Sequence, residues 1–238
     1  MSGHSKWSTI KRKKEATDAK KGQLFSKLSK LIEIAAKKGA DPKTNFSLKA
    51  VVDKAKASNM PVINIEKAIK KGAGLLGGED SLEEILYEAY GPSGAAILIL
   101  TITSNRNRTV SEIKHILSNN GGRLAEIGSV KYLFEEKGIL RMPKEGINFS
   151  ELEEFSILNN AEDITLQDDS IEIVVSVSDL ENFKNIISQR NINNIDSGVE
   201  WVAKNNIDIP KEDESRLGAL LEELDNNEDV SEVFTNAN

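Results

Sequence analysis

The residues best placed to do chemistry are cations. Lys6, Lys11, Arg12, Lys13, Lys14, Lys20 and Lys21 crowd the start of the chain, with Glu15 and Asp18 the acids among them. Lysine and arginine at that density attract a phosphate backbone, because each cation that meets a phosphate releases a condensed counterion. The bias extends further: residues 1–72 hold 18 Lys/Arg against 6 Asp/Glu, a net of +12. The remainder holds 13 against 32, a net of −19, so the overall −7 conceals a basic module on an acidic body. Lys27, Lys70 and Lys71 continue the basic surface beyond the first stretch. Trp7 has two readings: an aromatic that stacks on a base or sugar, or a staple that packs the arm against the first helix.

A second cation pair lies in Asn105-Arg106-Asn107-Arg108, a stretch read as a loop just before a helix that Thr109-Val110-Ser111-Glu112 caps. Arginine forks onto phosphate, and a helix N-terminus adds backbone donors. Equally, these arginines pair with local acids such as Glu88 or Glu112 and fix the domain. The sequence leaves both open.

Enzyme chemistry finds little support. With no cysteine, disulfides, thiolate zinc sites and thiol nucleophiles are excluded. His4 and His115 are the two histidines, neither spaced with a carboxylate or second imidazole as a metal site requires. Glu83-Glu84, Glu135-Glu136 and Glu222-Glu223 are adjacent pairs, which on a strand point to opposite faces. The sequence Gly72-Ala73-Gly74-Leu75-Leu76-Gly77 matches GxGxxG, but a helical pattern precedes it and Gly78-Glu79-Asp80 follows, so the strand–turn–helix context of a dinucleotide site fails. A linker is the better reading, and its Leu75-Leu76 suggests one that packs. No catalytic residue, metal, cofactor or small-molecule substrate is expected.

The elements that position these residues follow from periodicity. Residues 1–20 read as a flexible arm. Leu24, Phe25, Leu28, Leu31, Ile32 and Ala35, then Leu48, Val51, Val52 and Ala55, then Ile65, Ala68 and Ile69 mark three amphipathic helices that must pack as a bundle. From Ser81 strands appear at 85–90 and 95–103, then a helix bearing Val110, Ile113, Ile116 and Leu117, and a strand with Val130, Tyr132 and Phe134 alternating. A β-α-β-β-α-β order follows over 139–203, with helices opened by Ser150-Glu151 and Ser178-Asp179, the ferredoxin-like split pattern. The last helix (Leu217, Leu220, Leu221, Leu224) and strand (230–234) complete the earlier unit. The expected fold is α+β and multidomain: a basic helical domain over 1–78, an α/β domain from 79–135 plus 206–238, and a second α/β domain, 136–205, inserted in it.

The charged N-terminus has no apolar signal region, and the longest apolar run, 95–100, is far short of the roughly 20 residues of a membrane span. A cytoplasmic protein is expected.

The chain resembles the YebC/PmpR family. The resemblance is carried by Gly3-His4-Ser5-Lys6-Trp7, Ile10-Lys11, Asp18-Ala19-Lys20 and Ala68-Ile69-Lys70-Lys71-Gly72. It continues through Tyr87-Glu88, Tyr90-Gly91-Pro92, Asn105-Arg106-Asn107-Arg108-Thr109, Gly121-Gly122, Gly128-Ser129-Val130, Tyr132-Leu133-Phe134 and Glu228-Asp229-Val230. It spans essentially the whole chain. Glu126-Ile127 departs from it, standing where a more polar loop is expected. The resemblance implies three domains and a cytoplasmic, DNA-binding transcriptional regulator; the alternative it implies is a ribosome-associated translational activator that binds ribosomal RNA. From the residues alone, a protein-interaction adaptor is the rival. The expected partner is double-stranded DNA or ribosomal RNA, with no membrane, and the chain a monomer or weak dimer.

Overall fold

The computed structural model describes residues 18–76, 81–190, 192 and 195–238. Most of the basic arm and the Gly77–Asp80 end of the linker lie outside them. Seven α-helices and two four-stranded antiparallel sheets occur among the described residues, an α+β fold. They fall into two compact units, one formed by Phe134–Asn205 and the other by the described part of 18–133 with Asn206–Asn238.

In the larger unit the three helices are α1 (Asp18–Ala36), α2 (Phe46–Ala57) and α3 (Val62–Gly72). Their apolar stripes meet in one cluster that includes Leu28, Ile32, Leu48, Val52, Ile65 and Ala68. Asn45 joins α1 to α2. Its amide donates to the Ala35 and Gly39 carbonyls at 2.8 and 2.7 Å, and its side-chain oxygen accepts from Leu48 N at 3.1 Å. One side chain thereby satisfies orphan groups at the end of one helix and the start of the next. Gly72 is required by contact: a Cβ there would lie 2.2 Å from the Glu33 carbonyl oxygen, so α3 crosses α1 at a distance only glycine allows. Leu75 and Leu76 are 71% and 51% exposed. They do not pack as expected: the helix ends at Gly72 and both side chains face solvent.

The first sheet has the order β3-β1-β2-β8, with β1 (Glu83–Tyr90), β2 (Ala96–Thr103), the two-residue β3 (Arg123–Leu124) and β8 (Val230–Thr235). Helices α4 (Arg106–Asn119) and α7 (Lys211–Asp225) bury Ile113, Leu117, Leu220 and Leu224 against Ala89, Ile97 and Ile99. Strand β2 lies between β1 and β8, so both its edges are paired, and every residue of it except Leu100 is buried, in keeping with its apolar run.

Two expectations fail here. The alternation Val130–Tyr132–Phe134 is not a strand: Lys131–Leu133 is a short 3₁₀ turn, and the next strand begins at Phe134. Backbone N–H groups at Val130 and Lys131 go to the Glu88 carboxylate instead of a neighbouring strand. Helix α4 begins at Arg106, not at the Thr109 cap, because Asn105 Oδ1 already accepts from Arg108 N at 3.0 Å.

The second unit comprises β4 (Phe134–Pro143), α5 (Phe149–Leu158), β5 (Asp163–Leu166), β6 (Ser170–Val175), α6 (Leu180–Ser188) and β7 (Asp196–Ala203). Its sheet order β5-β6-β4-β7 is the ferredoxin-like arrangement. Helices α5 and α6 supply Leu152, Phe183 and Ile187 to a core with Leu140, Ile171 and Ile173. A cation also lies within this sheet: Arg141 bonds Glu172 through Nε and forks onto Glu200.

Candidate nucleic-acid interface

The geometry around α4 starts from one buried carboxylate. Asp229 precedes β8 with its side chain 2% exposed. Its Oδ1 accepts from Lys30 Nζ on α1 at 2.8 Å. Its Oδ2 accepts from Arg108 Nη2 and the Thr109 hydroxyl, both at 2.7 Å, and from the Thr103 hydroxyl at 3.2 Å. Burial opposes ionisation, but these donors outweigh it and hold the carboxyl at about 2. Lys30 also donates to the Glu228 carbonyl at 2.8 Å, and Lys27 to the Asp225 carbonyl. The lysine face of α1 is thus pinned to the chain between α7 and β8.

Around this hub lies a polar cleft of about 380 Å³, lined by Ser26, Ser29, Lys30, Glu33, Lys71, Leu82, Ser104, Arg108, Glu228 and Asp229. Lys71 and Arg108, expected at the interface from sequence, come together here. Both already have acidic partners: Lys71 meets Glu33 at 3.0 Å, and Arg108 meets Glu112 at 3.7 Å besides Asp229. The Arg108 side chain nevertheless remains 53% exposed.

The other expected residues are distributed differently. Arg106 is exposed on the first turn of α4, beside the Tyr87 hydroxyl. Burial pushes that hydroxyl above its ordinary value, against the pull of the guanidinium. Lys21 and Lys70 are exposed. Lys27 is half-buried and also faces the Asp225 carboxylate at 3.5 Å. Lys6, Trp7, Lys11, Arg12, Lys13 and Lys14 lie outside the described residues, and so does the side chain of Lys20. Glu88, offered as an arginine partner, is occupied elsewhere: its carboxylate accepts from the N–H groups of Gly128, Val130 and Lys131 at 2.6, 2.6 and 2.8 Å. Burial works against its ionisation, and those three donors hold it below the usual carboxylate range.

Sequence reasoning missed Lys30 and Asp229. Lys30 follows Lys27 by three residues, the spacing that puts both on one helix face. Asp229 carried no local signal beyond its place in the closing motif, since Lys30 and Arg108 are 199 and 121 residues away. Among the described residues no three His, Cys, Asp or Glu side chains are grouped to hold a metal ion, and no helix is long and apolar enough to cross a membrane.

Fold and site together define a multidomain α+β protein in which a basic helical bundle is tied by ion pairs to an acidic, sheet-bearing body. A family model described as "TACO1/YebC protein N-terminal domain" matches residues 5–75, and one described as "TACO1/YebC second and third domain" matches 82–237. The chain belongs to the TACO1/YebC family. A "probable transcriptional regulatory protein" of Desulforamulus reducens is 45% identical, over 99% of this chain and 98% of its own. One of the same description from Pseudothermotoga lettingae is 44% identical, over 99% and 93%. Among solved structures, a conserved hypothetical protein of Aquifex aeolicus matches with a TM-score of 0.86 and 37% identity, covering 93% of this chain and 91% of that one.

Proposed function

We propose that this chain is a non-enzymatic, cytoplasmic regulator of gene expression that grips the phosphate backbone of double-stranded DNA. The observation that carries the reading is the charge division: 18 Lys/Arg against 6 Asp/Glu over residues 1–72, and 13 against 32 beyond. The description of its relatives as probable transcriptional regulatory proteins supports the regulatory role. In this reading the arm residues Lys6, Lys11, Arg12, Lys13, Lys14, Lys20 and Lys21 supply the main electrostatic attraction, and Lys70 extends it along α3. Arg106 adds a contact at the α4 N-terminus, where Arg108 shares its guanidinium between Asp229 and an incoming phosphate. Lys27 and Lys71, held by Asp225 and Glu33, contribute field more than direct contacts. Backbone contacts of this kind position a protein without reading bases.

The test is a salt titration of binding by the full chain, on duplex DNA and on structured ribosomal RNA. If about four arm cations neutralise phosphates, log K falls with log salt at a slope of roughly −3.6 on B-DNA. Changing Lys11, Arg12, Lys13 and Lys14 to Ala flattens that slope and weakens all duplex sequences alike. An unchanged slope places the phosphate contacts elsewhere. Markedly tighter binding to the RNA makes RNA the target.

A further inference from the structure

The loop between β3 and β4 carries an arrangement that the basic module does not account for. Its backbone is held from several directions. The Glu88 carboxylate takes the N–H groups of Gly128, Val130 and Lys131, and the Glu88 carbonyl takes that of Ala125 at 2.8 Å. The Tyr90 hydroxyl donates to the Ser129 carbonyl at 2.9 Å, and Ser129 N closes a turn onto Glu126 O at 3.1 Å. Gly128 sits at φ +88°, a conformation that suits glycine. At the tip of this clamped turn Ile127 is 93% exposed.

A single exposed isoleucine is ordinary on a protein surface. This one differs in its support and its flanks. Ordering of the loop is already achieved through a buried carboxylate, so a partner that covers Ile127 spends little entropy on the backbone. Before the tip, the Arg123 guanidinium lies 4.7 Å from the centre of the Tyr90 ring. Beyond it, Lys131 is exposed and Tyr132 is 64% exposed. Within 123–132 the one acid is Glu126. An apolar tip flanked by cations and an aromatic ring matches a stack of bases flanked by phosphates, and isoleucine is among the side chains that proteins insert between base steps.

We infer that Ile127 is a wedge that enters between stacked bases of the bound nucleic acid, with Arg123 and Lys131 on the neighbouring phosphates. The inference rests on the nucleic-acid reading above and adds a second contact, on the acidic body rather than the basic module. It also gives a use to the departure at Glu126-Ile127.

The experiment compares the full wild-type chain with Ile127→Ala on two probes, a short DNA duplex and an RNA hairpin, each carrying 2-aminopurine within its stem. Wild type raises the fluorescence of at least one probe by unstacking. Ile127→Ala abolishes the rise and binds that probe roughly tenfold more weakly, the effect of exposing an otherwise buried aliphatic side chain. Its salt slope and melting temperature stay unchanged, since Ile127 carries no charge and is exposed. Lys131→Ala makes the slope shallower by about one. Equal affinity and equal fluorescence for wild type and Ile127→Ala overturn the wedge while leaving the arm's backbone contacts standing. A variant that keeps nucleic-acid binding but loses a nuclease-resistant protein partner overturns it in favour of a protein pocket. Absence of binding to either probe by wild type sinks both this inference and the function it rests on.

Discussion

Replacing Asp229 with Asn keeps the shape of the side chain and removes its charge. The carboxylate is 2% exposed and takes donors from Lys30, Arg108, Thr109 and Thr103, so the substitution tests whether charge ties α1 and α4 to the start of the last sheet strand. Lowering a carboxyl from its ordinary 3.8 to about 2 corresponds to about 2 kcal/mol of folding free energy at neutral pH. Lys30 and Arg108 are partly exposed and recover hydration when released, so Asp229→Asn costs about 2 kcal/mol rather than the 3–5 of a fully buried pair. For a unit of this size that is a fall of about 4–8 °C in melting temperature. The pH dependence is specific because the folded value lies below the unfolded one. The contribution is fully present above about pH 5 and is lost as pH falls through 4 towards 2, with about half remaining at pH 3. The assay is urea denaturation of wild type and Asp229→Asn at pH 7, 4 and 3. The two should differ most at pH 7 and converge as the wild-type carboxyl takes up its proton. A gap that stays constant across that range would refute the electrostatic account and leave neutral hydrogen bonding as the source.

The remaining predictions concern packing, folding units and the arm. Gly72→Ala places a Cβ 2.2 Å from the Glu33 carbonyl oxygen, so α1 and α3 must separate at a cost of about 1–3 kcal/mol, read as a lower melting temperature. A melting temperature equal to wild type would show that the helices part without penalty. The inserted-domain organisation is a proposal with a direct test: excised 134–205 keeps a whole ferredoxin-like sheet with both helices and should fold cooperatively alone. Deleting 206–238 removes α7 and β8 and should unfold the first sheet, whereas a dispersed, cooperative amide spectrum from 79–135 alone contradicts the insertion. Trp7→Ala separates stacking from stapling. Loss of stacking lowers single-strand affinity by roughly 1–3 kcal/mol at constant salt slope, while loss of a staple lowers the melting temperature of the chain.

Much of the architecture follows from local sequence. Leu24, Leu28, Leu31, Ile32 and Ala35 form a helical stripe whatever surrounds them, and Gly39, Asn59 and Gly121 stop helices by conformations open to glycine and asparagine. The strand of 95–103 reads as central from its apolar faces, and the order of elements over 139–203 gives the ferredoxin-like pattern before any pairing is known. The charge division is likewise a property of sequence, because it needs no partner. Tertiary structure decides wherever a side chain's role depends on a distant donor. Arg106 and Arg108 read as loop residues because Thr109–Glu112 resembles a cap. Asn105 starts the helix earlier, and Thr109 turns its hydroxyl to Asp229, 120 residues away. Val130, Tyr132 and Phe134 alternate like a strand, yet the chain turns there because Glu88, some 40 residues earlier, captures its N–H groups. Periodicity records which faces an element buries. It carries no information on which carboxylate a lysine or a backbone amide will find, since that depends on chain segments brought together only by folding, and this is why the partners of Asp229 and Glu88 emerge from the structure alone.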